Sequence, residues 1–479
     1  MKRLSLLSFM LLGALLTFTA CNDDDEPNPD QGSNELIDDY NNPEELKRRL
    51  PGSITTDRTL TADTTYYIDG YVFVEGGTLT IEPGTVIMGV SQPTGENPGN
   101  ESALIITREA QIDAEGTPQA PIIFTSELDS EALGGDISLN QTNSKLWAGL
   151  IILGKAEMNV GGATEVQIEG IPDGEARALY GGNDNDHSSG ILKYVSIRFT
   201  GAEIGPGDEI QGLTLGGVGR ETVIEDIDIF VSGDDGIEIF GGTVNIKRVS
   251  VAFAEDDAFD FDLGWSGYAQ FVFALQGGNE SDHLGEWDGA SPDDSPLYCT
   301  ARIYNATFIG RGLTDGSRSA DAATILMRDG AAISLYNSII TEANGKGLEV
   351  EDRGDSFDSY NKLVTEEEYT IGGNVWYAGN ATGIADMLAI TSGATDANGQ
   401  AIIDHLNANG NSFMNPMLGG IGRTNGSGTL NPIPGADLGA PVATPTEAET
   451  VNYKGAFNPS GASWIAGWTT LARFGYLAD

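Results

Sequence analysis

The sequence predicts an all-β fold, a single-stranded parallel β-helix or solenoid with a cap at each end, on three observations. The chain has 64 glycines among 479 residues, and from Leu60 onward they break up short β-branched and aromatic runs such as "YYIDGYVFVEGGTLTIEPGTVIMG" and "LWAGLIILG". Such runs read as strands with turn punctuation. The second observation is a repeat within 232–264, "SGDDGIEIFGGTVNIKRVSVAFAEDDAFDFDLG", where Asp234, Asp235, Ile237, Glu238 and Ile239 recur as Asp256, Asp257, Phe259, Asp260 and Phe261, an offset of 22 residues. A period in the low twenties built from alternating strands fits one turn of a solenoid, because each coil buries its apolar positions only against its neighbours. The third is the lack of a long, capped helical period in the body; only 366–391 and 403–409 suggest short helices.

The repeat continues. "DHLGEWDGA" places Asp282 on Asp234, His283 on the second aspartate, Glu286 on Glu238 and Trp287 on Ile239. "TILMRDG" forms a fourth copy, and "GKGLEVED" a fifth with Leu348 and Val350 at the apolar positions. Alternate side chains of a strand point to opposite faces, so Ile237, Ile239, Phe259, Phe261 and Trp287 are expected to stack inside. Glu238, Asp260 and Glu286 then form an outward column. Coils lie about 4.8 Å apart, and like charges in such a ladder repel unless something neutralises them.

Around this body the sequence divides into four parts. Residues 1–20 read as a secretory leader, with Lys2 and Arg3 ahead of an apolar run and small residues before Cys21. Residues 21–52 are acidic, polar and proline-bearing, a tether with too little apolar content to fold alone. The solenoid is expected over 53–430, with its first cap in 53–67. Residues 431–479 give a proline-rich connection and an aromatic cap, in which Trp464 and Trp468 at i and i+4 suit a short helix over the last coil.

Acidic residues number 71 against 25 basic ones, a net charge of −46. That field disfavours nucleic acid as a partner. No segment after the leader is apolar for long enough to span a bilayer, which argues against a transporter. With Cys21 and Cys299 as the only cysteines, no intramolecular disulfide is expected once Cys21 is lipidated.

Two resemblances bear on location and fold. The end of the leader resembles a bacterial lipobox, which implies lipidation of Cys21, and the "NDDDEP" that follows resembles the export signal of surface-exposed lipoproteins of the Bacteroidota. A lipid anchor in the outer membrane, facing outward, is the implied location. The ordered set "GGTLTIEPGTVI", "LWAGLIILGKA", "IEGIPDG", "LYGGNDNDHSSGILKYVSIRFTGAEI", "EIQGLTLGGVG", "DDGIEIFGGTVNIK", "DDAFDFDLGWSG" and "GAFNPSGASWIAGWT" resembles a family of secreted or lipid-anchored bacterial proteins, and implies a right-handed parallel β-helix from Leu60 to the C-terminus. The Asp234-Asp235 pair is also similar to that of polygalacturonase-like hydrolases. The accompanying Asn-Thr-Asp, Gly-His-Gly and Arg-x-Lys motifs of those enzymes are absent.

Calcium takes six to eight oxygen ligands, and Asp234, Asp235, Glu238, Asp256, Asp257, Asp260, Asp262, Glu286 and Asp288 form the candidate Ca²⁺ set. The alternative is that these aspartates accept backbone amides at turns. Carboxylate pairs also suit hydrolysis, with Asp260 and Glu286 or Asp256 and Asp262 as acid and base or nucleophile. A uronate lyase would need a basic residue, for which Arg328, Lys247 and Arg302 are candidates; Arg328 equally suits a counter-charge within the column. His283 suits ligation or proton transfer, or a turn. Trp265 and Tyr268 are expected to stack on sugar rings beside the acidic face, and the insert at 288–299 to overhang it. The leading expectation is therefore a surface lipoprotein binding an extracellular glycan through a calcium-loaded acidic face. The alternatives are a polysaccharide hydrolase or lyase and an accessory subunit of an outer-membrane complex.

Overall fold

In the computed structural model, residues 48–93, 101–205, 208–277, 281–312, 323–343, 345–391 and 394–478 are described. The leader, Cys21 and nearly all of the tether lie outside them. Among the described residues no helix is long and apolar enough to cross a membrane.

Eleven parallel strands, from Ser53–Ile54 to Leu388–Ala389, stack into one continuous sheet, each contributed by a successive coil. After each strand the chain turns and supplies the second and third faces. In the middle coils one long strand, such as Val223–Ser232 or Asn245–Ala254, bends across both; in later coils it is two short strands, as in Arg302–Tyr304 and Thr307–Ile309. All pairings between coils are parallel and in register. The structure is a parallel β-helix.

The bend between the second and third faces is a column of left-handed residues. Tyr194, Asp226, Arg248, Phe271, Asn305 and Asn337 occupy equivalent positions with φ between 48° and 57°. Non-glycine residues enter this region at a cost of order 1–3 kcal/mol each, so stacking and corner hydrogen bonds must hold them there. At the start of the long strand Gly190–Thr200, Gly190 has φ +112°, and a Cβ there would lie 1.8 Å from the Ile112 carbonyl oxygen. We expect Gly190→Ala to lower stability by about 2–3 kcal/mol in a denaturation experiment.

The core lies between the faces. The row Leu215, Ile239, Phe261, Trp287, Met327 and Val350 stacks inward, each residue at most 1% exposed. Burial of each such side chain contributes roughly 1.5–3 kcal/mol. This is the alternation expected from the repeat, including Leu348 and Val350 in the fifth copy.

Several expectations need correction. Residues 53–67 do not form a separate cap: Ser53–Ile54, Arg58–Leu60 and Tyr66–Ile68 contribute to the first coil. The region 366–391 holds three short strands and one 3-10 turn at Ile384–Met387 joined by turns, whereas the helix anticipated at 403–409 runs over Asp396–Ala408. Thr395 caps it, accepting from the Asn398 amide at 3.2 Å, and Ile402 and Leu406 pack into the core at the last coil. Trp464 and Trp468 lie in turns, and the helix beyond them is only Thr470–Arg473.

The tail does not cover the end of the solenoid. It runs back along the flank, held by side chains of successive coils. Asn337 bonds both backbone groups of Val442 (3.0 and 2.8 Å), Gln270 both of Glu449 (2.8 Å each), and Asn305 the Tyr453 carbonyl (3.0 Å). Beyond this, Phe457, Ile465, Leu471, Phe474 and Tyr476 cover the outward side chains of the third face, Phe230, Ala252, Phe273, Leu275 and Ile309 among them. Cys299 is a buried free thiol.

Candidate functional site

The outer face of the eleven-stranded sheet changes character along the axis. In the early coils it is apolar: Tyr71, Phe73, Ile105, Ile151 and Leu153 are covered by Ile168, Ile171 and Tyr180, which come from the insert between Gly149–Leu153 and Gly190–Thr200. From the sixth coil it is acidic. Thr214, Glu238, Asp260, Glu286, Leu326 and Glu349 follow one another in register; Phe240 pairs with Asp262, and Asp288 with Arg328, in the neighbouring outward row.

Alternation along Ile237–Phe240, Phe259–Asp262 and Gly285–Asp288 turns these carboxylates outward while their apolar neighbours fill the core. Outward here does not mean solvated. Glu238 is only 6% exposed and has no hydrogen bond or ion pair among the described residues; one carboxylate oxygen of Asp260 is likewise buried without a partner. Oxygens of Asp235, Glu238 and Asp260 lie within 4.8 Å of one another. Two further groups of the same closeness adjoin them, Asp234, Asp235 and Asp256 at the turn, and Asp257, His283 and Glu286 in the next coil.

The second aspartate of each repeat has a structural task. Asp235 accepts the Asp257 amide at 2.9 Å, and Asp257 accepts both the His283 amide and its ring Nδ1, the latter at 3.1 Å. Thus Asp235 and Asp257 each tie one turn to the next, as aspartates at turns do, and Asp235 does so while facing the candidate cation position.

Burial, then repulsion from neighbouring carboxylates, pushes the protonation of Asp235, Glu238 and Asp260 well above the usual carboxylate range. Asp262 is pushed up to about 7 by burial and by Asp288, with Arg328 opposing. Glu286 reaches about 7 from burial and Asp257, again against Arg328 and His283. Burial would lower His283, but the Asp257 bond and the surrounding carboxylates outweigh it and raise it. Arg328 is the counter-charge of the column, 2.7 Å from Asp288 and 3.2 Å from Glu286.

The structure separates some residues that the sequence grouped. Trp265 is fully buried, packed 4.4 Å from Phe261 between ring centroids, with its Nε1 donating to the Val244 carbonyl at 3.0 Å. The corner glycine before it turns the indole inward, so it is no sugar platform. Tyr268 lies on the second face, as do Lys247 and Arg302, so none of the three belongs to the acidic column. Asp256 is exposed at the turn before Phe259–Asp262 and Asp262 ends that strand, which rules them out as a close pair; Asp260 and Glu286 are direct cross-strand neighbours. The insert at 288–299 meets the earlier insert rather than standing alone: the Gly161 amide donates to the Ser291 carbonyl at 2.6 Å, and the Asn159 side chain donates to the Leu297 carbonyl.

Two residues near the site were not legible as such. Glu169 adds to the charge facing Glu238, and the Tyr180 ring stands against Phe240 at 6.3 Å. Both belong to the early insert. Glu169 lies within the "IEGIPDG" motif and beside a cavity of about 450 Å³ lined by Gln167 to Asp173. Nothing in their spacing, 69 and 58 residues before Glu238, ties them to the column.

A search of the curated proteins returned no match. A family model described as a pectate-lyase-like β-helix domain matches residues 52–414, most of the chain and all eleven coils through Leu388–Ala389. By that match and by its coil-by-coil parallel pairing, the chain belongs to the pectate-lyase-like β-helix family.

Proposed function

We propose that the acidic face holds a divalent cation on Asp235, Glu238 and Asp260, and that the cation and the surrounding carboxylates bind an extracellular glycan. Family membership supports a carbohydrate-related role. The observation that carries the cation is the Asp260 oxygen buried without a partner, within 4.8 Å of oxygens of Asp235 and of Glu238, which is itself only 6% exposed. An unpaired buried carboxylate must be protonated or neutralised, since burying it charged costs several kcal/mol. All-oxygen donors favour calcium over zinc, which prefers nitrogen and sulfur. The leader and the acidic segment after Cys21 support placement on the outer membrane through a lipid at Cys21, with exposure to environmental polysaccharides or to a partner complex.

A second reading is catalytic. Asp262 and Glu286 are held near neutrality, in the range where a carboxyl serves as acid or base, and Asp260 adjoins Glu286 at the spacing of neighbouring strands, about 4.8 Å. Incubation of the purified protein with plant and marine polysaccharides, with calcium and with chelator, separates the readings. Calcium-dependent retention that Glu238→Gln weakens at least tenfold, with no new chain ends, is the expected result. New ends that vanish in Glu286→Gln establish the enzyme. Retention unaffected by chelator and by Glu238→Gln overturns the cation, and absence of both retention and new ends favours an accessory subunit.

A further inference from the structure

A different face carries a second cluster of polar groups. Where the chain turns from the acidic sheet into the second face, four successive coils contribute Arg220, Asn245, Tyr268 and Arg302 to the rim of one cavity of about 340 Å³. That volume is at the lower end of small-molecule sites. Thr243 and Ser266 add hydroxyls, and Glu447 of the returning tail forms the remaining wall. Gly267 lets adjacent coils approach closely at this wall; a Cβ there would lie 1.9 Å from the Val244 carbonyl oxygen.

The side chains are set in place by local bonds that leave donors over. Glu447 Oε1 lies 2.8 Å from Arg302 Nε and accepts the Tyr304 hydroxyl at 2.9 Å. The two terminal nitrogens of Arg302 have no hydrogen bond among the described residues, and its side chain is 38% exposed. Asn245 accepts the Tyr268 amide at 3.0 Å, and the Tyr268 ring packs edge-on against Tyr304 at 6.3 Å. Arg220, half exposed, pairs through one nitrogen with Asp186 at 3.1 Å.

Two guanidinium groups at one cavity stand out in a chain with only 25 basic residues against 71 acidic ones. The chain's overall negative charge does not forbid an anion here. At physiological salt the field is screened beyond about 8 Å, so the local groups decide: Glu447 and Asp186 offset the two guanidinium charges, and the guanidinium nitrogens that they leave unbonded remain for an anion. A planar guanidinium binds a carboxylate or sulfate through paired hydrogen bonds, and a tyrosine ring stacks on the apolar face of a sugar.

We propose that this corner cavity is a second carbohydrate subsite, independent of cations, for a pyranose carrying a carboxylate or sulfate group. It shares only the ligand class with the proposed function and needs neither the cation nor the acidic face.

The test measures binding by the full-length protein in excess chelator, with a uronic-acid trisaccharide, a sulfated neutral trisaccharide and an unsubstituted neutral trisaccharide as probes. At least one anionic probe is expected to bind, with the neutral probe at least tenfold weaker. Whichever anionic probe binds more tightly identifies the substituent. Arg220→Gln, at an exposed position that does not contact the core, is expected to weaken binding several-fold without changing the melting temperature, and Arg220→Gln with Arg302→Gln at least tenfold. Glu238→Gln is expected to leave this binding intact, which separates it from the acidic face. Absence of binding by both anionic probes in chelator, equal binding of the neutral probe, or indifference to both arginine variants overturns the proposal.

Discussion

Raising the pH of the cation-free protein from 5 to 8 is expected to lower its melting temperature by several degrees, and millimolar calcium at pH 8 to restore it. The carboxyls of Asp262 and Glu286 protonate near 7 in the folded chain, and those of Asp235, Glu238 and Asp260 well above their ordinary values. A carboxyl whose folded pKa is raised binds its proton more tightly when folded than when unfolded. Its contribution is therefore complete below about pH 4, where both states are protonated, and is lost as the pH rises towards the folded value. An isolated carboxyl of this kind gives a slope of at most about 1.4 kcal/mol per pH unit; these carboxyls repel one another and lose their protons one after another, so the summed loss is smaller than five such slopes, and water screens it further at Asp262 and Glu286.

A cation bound to the folded chain alone opposes this loss, by about 2.7 kcal/mol when its concentration is a hundred times its dissociation constant. Glu238→Gln gives the sharper check because its sign reverses. Without calcium at pH 8 it relieves repulsion and raises the melting temperature; with saturating calcium it removes a ligand and lowers the melting temperature relative to wild type. Differential scanning calorimetry under the four conditions measures this, and a variant destabilised to the same extent with and without calcium would exclude the cation.

Asp228→Ala is expected to cost about 3 kcal/mol and to release the tail. Asp228 is fully buried on the third face, where one oxygen accepts the Thr470 amide and hydroxyl at 2.7 Å each and the Ser196 hydroxyl at 2.8 Å. Removing it strands the Thr470 amide and takes the shared acceptor from the Thr470 and Ser196 hydroxyls, which lie 3.0 Å apart; bonds to a carboxylate are worth about 1.5–3 kcal/mol each before relaxation. The released segment would uncover Phe230, Phe273 and Leu275, so binding of a hydrophobic dye should rise with the loss of stability. Limited proteolysis reads the same event, through earlier cleavage between the corner contacts at Val442 and the end of the chain. Cleavage at the wild-type rate, with an unchanged melting temperature, would show that the aromatic contacts alone hold the tail.

The sequence by itself determined the solenoid and its inside and outside. An offset of 22 residues and strict alternation leave one arrangement in which Ile239, Phe261 and Trp287 are buried together, and that arrangement stacks Glu238, Asp260 and Glu286 in register. Local pattern could not tell which outward residues are covered. Trp265 and Tyr268 are three residues apart, yet one is core and the other stands at a cavity on another face, because the corner between them turns the chain. Nor could it show the left-handed corners at Tyr194, Asp226 and Arg248, where stacking of coils overrides local preference, or the insert that lays Tyr180 and Glu169 beside the acidic column. The tail is the clearest case. Its aromatic residues announced a cap, but its place was set by a buried Asp228 more than 240 residues away and by the corner amides of Asn337, Gln270 and Asn305. A repeat is written in local spacing, whereas the position of an insert or a tail depends on partners that only stacking brings together.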